Sequence, residues 1–95
     1  MNWKNCELRY IDHAGLADKG VIVPATQPYR FNEETYPKIN DEMRNGLAAK
    51  SERGSPVFTV KAIYEEKRDG ESVSVAELEF NRIEPTPYSK VPENE

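Results

Sequence analysis

Ninety-five residues predict one domain, and a second independently folded unit is not expected within them. Thirteen Lys and Arg oppose seventeen Asp and Glu, a net charge of −4, and the longest basic run is the pair Lys67-Arg68. A nucleic-acid partner is therefore not expected, because phosphate neutralisation needs a basic footprint. No apolar run approaches the ~18–20 residues of a membrane span, so no membrane partner is expected either. Met1 to Glu7 carries no apolar signal core, and a cytoplasmic location is the expectation. The acidic excess is local: residues 1–53 carry eight basic and eight acidic side chains, residues 54–95 five and nine. Cys6 is the only cysteine and His13 the only histidine, which excludes an internal disulfide and the four-ligand zinc sites.

Along the chain, Trp3 to Ile11 opens with Cys6, Leu8 and Tyr10 alternating with Glu7 and Arg9, the period of a strand with one buried face. Asp12 to Gly20 reads as a loop pinned by Leu16. Val21-Ile22-Val23 reads as a short strand antiparallel to the first and ended by Pro24. Pro24 to Phe31 reads as extended and irregular, because each proline biases its predecessor away from helix. Tyr36, Ile39, Met43 and Leu47 then recur at helical spacing. They predict an amphipathic helix from Thr35, its N-cap, to about Lys50, with Pro37 in the first turn.

Val57–Lys67 and Glu71–Ile83 predict a long hairpin around Arg68-Asp69-Gly70. A three-residue loop places Phe58 opposite Phe80, Val60 opposite Leu78, Ala62 opposite Ala76 and Lys61 opposite Glu77, separating a dry face from a charged one. A two-residue turn would mix the faces, so the longer loop is the expectation. The sum is an α+β domain over residues 1–84: a small antiparallel sheet of about four strands with one amphipathic helix on one face. Residues 85–95 read as a Pro-rich extended or disordered tail.

Candidates for chemistry are few. Asp12-His13 and Cys6 with His13 are acid–base or nucleophile pairs in composition only. Neighbours in an extended chain point apart, and Cys6 shares the apolar face of Leu8 and Tyr10. No phosphate loop or metal motif is present, no cofactor is expected, and the protein is not expected to be an enzyme. Pro28-Tyr29-Arg30-Phe31 combines residue types that anchor protein interfaces, and Trp3 is of the same kind. The functional expectation is a small protein-binding module, an adaptor or inhibitor of a size class common in phages and mobile elements. Tyr29, Arg30, Phe31 and Trp3 are its contact residues. Its partner is another protein, or a second copy joined through sheet edges as a structural subunit. An enzyme with a site at an oligomer interface is the remaining alternative.

Overall fold

The computed structural model describes residues 3–32, 34, 36–44 and 46–85. Its frame is one five-stranded mixed sheet in the order β2-β1-β5-β4-β3. β1 is Cys6–Tyr10, β2 Thr26–Tyr29, β3 Glu42–Met43, β4 Ser55–Arg68 and β5 Glu71–Glu84. A four-residue helix α1, His13–Leu16, runs on into a 3₁₀ turn, Ala17–Lys19. The fold is α+β, but the sheet is not purely antiparallel: β1 lies parallel to β5, Cys6 beside Ser74 through Tyr10 beside Leu78. This pairing puts two apolar faces side by side, Cys6, Leu8 and Tyr10 next to Ala76 and Leu78, all buried. Sequence pattern reports which face a strand buries and not which neighbour it takes.

The expected helix from Thr35 to Lys50 does not form. Thr35 lies outside the described residues; Lys38–Asp41 is a turn, closed by the Asp41 N–H on the Lys38 carbonyl and the Lys38 N–H on the Asp41 carboxylate. Asn40 and Gly46 take positive φ, 78° and 76°, which no right-handed helix accommodates. Met43 pairs with Phe58 as part of β3. Two weak helix formers in the interior of the expected helix, Asn40 and Gly46, thus concede the segment to a sheet edge. Of the stripe, Met43 and Leu47 pack on the core, whereas Tyr36 and Ile39 remain exposed at 43% and 50%. The second strand is likewise displaced. Thr26–Tyr29, not Val21–Val23, pairs antiparallel with β1, and Ile22 keeps only an isolated bridge to Lys50.

The hairpin contains both registers weighed from sequence. Arg68 pairs with Glu71, so the turn is the two-residue Asp69-Gly70, with φ of 50° and 84° at the two positions. Both values are positive, as the tightest hairpin turn requires. Tyr64 accordingly faces Val75, and Ala62 faces Glu77, not Ala76. Lys61 is then an extra residue in β4, and beyond it Val60 faces Leu78, Thr59 faces Glu79 and Phe58 faces Phe80, as the pattern predicts. A second irregularity at Asn81 restores the turn register, Val57 opposite Arg82. The bulge at Lys61, not a longer loop, brings the apolar face into line.

The core lies on one face of the sheet. Phe58, Val60, Ala76 and Leu78 meet Leu8 and Tyr10, and are covered by Leu16, Val21 and Phe31 from the connecting segments. The other face has no second layer among the described residues. Fourteen residues at ~3.3 Å each make each hairpin strand about 46 Å long, most of the molecule's 53 Å long axis.

Candidate functional site

Two features outside the core concentrate chemistry: an aromatic ledge at the ends of β1 and β2, and ion-pair networks on the uncovered face. The ledge forms because β1 and β2 are antiparallel, which brings the residues preceding β1 beside those following β2. The Phe31 N–H donates to the Trp3 carbonyl at 2.9 Å. The Phe31 ring is buried and meets Trp3 edge-on at 5.8 Å and Tyr29 at 4.6 Å. Tyr36 stacks on Trp3 at 6.0 Å with 24° between the rings, and the Lys38 ammonium stands 5.8 Å over Tyr36. Tyr29 and Trp3 are half-buried against the core; Arg30, between two inward aromatics, is exposed and makes no ion pair among the described residues.

The four residues expected at a binding surface are therefore brought together, with different parts. Phe31 is the floor, Tyr29 and Trp3 the walls, and Arg30 the projecting group. Tyr36, read from sequence as a helix position, joins them instead. Aromatic spacing within 29–36 was the available sign, and the helical period of the following residues concealed it.

The uncovered face carries the first network where β1, β5 and β4 run side by side. Glu7 accepts from Arg68 (Nη2 to Oε2 3.1 Å, with a second, shorter bond from Nη1) and from Arg9 Nε at 2.8 Å. Glu66 Oε1 accepts from Arg9 and from Arg68 at 2.7 Å each. Arg9 also donates to the Tyr64 hydroxyl at 3.1 Å, which donates to Glu77 at 2.7 Å. The Arg68 hydrogen bond, aided by Arg9, holds the Glu7 carboxyl below the usual carboxylate value, and Arg68 does the same for Glu66. The Glu77 carboxylate raises the Tyr64 phenol in turn. A second network ties β3 to β5 across β4. Arg82 forks onto Glu42 at 2.9 and 3.2 Å and reaches Glu84 at 2.6 Å, while Arg44 bonds both carboxylates. Arg82 chiefly lowers the Glu42 carboxyl. Val75, in register with Glu7 and Tyr64, and Val57, opposite Arg82, are fully buried yet outside the main core. Long charged side chains thus take the place of a second layer.

The catalytic pairings considered from sequence are not assembled. Cys6 is buried, and burial pushes its thiol up to about 11, away from nucleophilic character. Burial likewise pushes the Tyr10 phenol up to about 12. His13 is exposed at the start of α1, where the Gly15 and Leu16 N–H groups bond the Asp12 carbonyl. Among the described residues no three His, Cys, Asp or Glu side chains cluster as metal ligands, and no helix is long and apolar enough to cross a membrane. A hollow of about 590 Å³ beside the exposed Ile22 is edged by Lys50 and Arg53. The Arg53 guanidinium is already engaged there by the Lys19 carbonyl.

A comparison with protein-family models, curated proteins and solved structures finds no match.

Proposed function

We propose that this protein is a non-enzymatic module that acts by binding another protein through the aromatic ledge. The observation that carries the reading is the Trp3–Tyr36 stack, seated on the buried Phe31 while Tyr36 stays 43% exposed. A rigid aromatic pair loses little conformational freedom on contact, and the neighbouring Arg30 supplies directional donors. Such clusters are where interface energy concentrates.

The test is affinity capture of the partner from the source cells, followed by titration calorimetry on variants. Arg30→Ala and Tyr36→Ala are expected to weaken binding by about 2 kcal/mol each, roughly thirtyfold, with melting temperatures unchanged. Phe31→Ala is expected to lower the melting temperature instead. Unchanged affinity in both the Arg30 and Tyr36 variants would remove the ledge from consideration.

A further inference from the structure

The two sides of the sheet are finished differently. In β2 the residues that bond β1 are Gln27 and Tyr29, in line with the Tyr10 N–H on Ala25, so Thr26 and Pro28 turn outward. Pro28 has no N–H, and that edge cannot accept a regular new strand.

The edge of β4 is unfinished. Ser74 N–H bonds Asn5 and the Leu78 carbonyl bonds Ile11, so the even-numbered residues of β5 serve β1. The odd ones, Glu71, Val73, Val75 and Glu77, serve β4 through Arg68, Glu66, Tyr64 and Ala62. Ile63, Glu65 and Lys67 therefore direct their N–H and C=O outward. β3 stops short of them: it pairs only with Phe58 and Thr59, and Asn40 and Asp41 occupy Val60. Among the described residues nothing pairs with this edge of β4 beyond Val60. Glu65 and Lys67 are also exposed and belong to neither ionic network.

We infer that this edge is the interface with a second copy of the chain, β4 against β4 antiparallel about a two-fold axis, with Glu65 of each copy opposite Lys67 of the other. Only outward residues can form the bonded pairs, so the register moves in steps of two. Two residues shallower, Lys67 meets Lys67. Two residues deeper, Glu65 meets Glu65, and the second copy's turn is driven against Asn40 and Asp41. The register between crosses Glu65 with Lys67 twice, makes about four backbone hydrogen bonds and ends each turn short of β3. On the opposite face Tyr64 meets Arg68 of the second copy. Glu66 meets its own equivalent, each carboxylate already paired with Arg9 and Arg68. Because Pro28 closes the β2 edge of each copy and β3 is only two residues long, assembly stops at the dimer, and no ring or filament grows.

The contact is short, below the roughly 1,200 Å² of a stable complex, so association is weak. Sedimentation equilibrium up to ~1 mM protein is expected to show the 10.9 kDa chain passing to twice that mass and no further. Glu65→Lys and Lys67→Glu should each weaken dimerisation at least tenfold. The first variant carries two cations along this edge and the second two anions, so each repels its own copy. An equimolar mixture of the two should associate again, because every cation then faces an anion across the axis. A monomer at every concentration, single variants that associate like the parent, or a mixture no stronger than its components would each overturn the inference. The edge lies three strand spacings from Tyr29, roughly 14 Å. Loss of dimerisation therefore leaves the ledge reading standing, and failure of the ledge variants leaves the dimer standing.

Discussion

Glu7 shows how a single side chain acquires its weight from its neighbours. Its carboxylate is only 15% exposed and is held by two guanidiniums, one from its own strand and one from the far strand of the hairpin. Glu7→Gln keeps the shape and removes the charge; it should cost about 1–2 kcal/mol at neutral pH, an amount limited by the solvent reaching both arginines. The sign of the pH effect follows from the lowered carboxyl. Above the ordinary value of 4.5 the contribution is complete. As pH falls through the native value the unfolded chain binds the proton first, and the contribution is lost. Urea denaturation between pH 7 and pH 3 should therefore show a steeper loss of stability in the parent than in Glu7→Gln, and equal slopes would refute the linkage. The alternation of Glu7 and Arg9 on the polar side of β1 was legible in the sequence. Their partners Glu66 and Arg68, about sixty residues away, were not, because that meeting depends on β1 choosing β5.

At the scale of elements, the hairpin and the lost helix teach opposite lessons. The hairpin's apolar face was readable because Phe58, Val60, Leu78 and Phe80 alternate without ambiguity. The misreading lay in where the odd residue sits, at Lys61 within the strand instead of in the turn. The turn itself gives a direct test. Gly70 has a φ of 84° and open space around the position of a Cβ. Gly70→Ala meets no clash and only the left-handed penalty, about 1–2 kcal/mol. A three-residue loop with Gly70 left-handed would carry a similar penalty, so the register needs its own measurement. Cross-strand proton contacts in solution should join Tyr64 with Val75 through their amides and Val60 with Leu78 through their α-protons, in one molecule. The helix between Tyr36 and Leu47 failed for the converse reason. Its spacing was right, but its residues are poor helix formers, and pairing of Met43 with Phe58 outweighed a helix that lacked intrinsic support.

For the molecule as a whole, stability should follow strand order. Central strand β5 is flanked on both sides over Ser74–Leu78, whereas β4 beyond Val60 has a described neighbour on one side only. Native-state hydrogen exchange should therefore be slowest at Val75, Ala76 and Glu77 and fast at Ile63, Glu65 and Lys67 in dilute solution. Raising the protein concentration should slow Glu65 and Lys67 selectively; uniform exchange along β4 at all concentrations would contradict the edge assignment. By itself the sequence determined the strand β1, the long hairpin, its buried face and the cluster of aromatic residues around Arg30. These follow from periodicity and residue type, which are local. Tertiary structure alone decided the parallel pairing of β1 with β5, the ion pairs that replace a second layer, the conversion of a helical stripe into a sheet edge, and the recruitment of Tyr36 to the ledge. Each depends on which distant segments meet. Strand periodicity is silent on that, because the same alternating face can pair in either direction with any neighbour whose apolar side it matches.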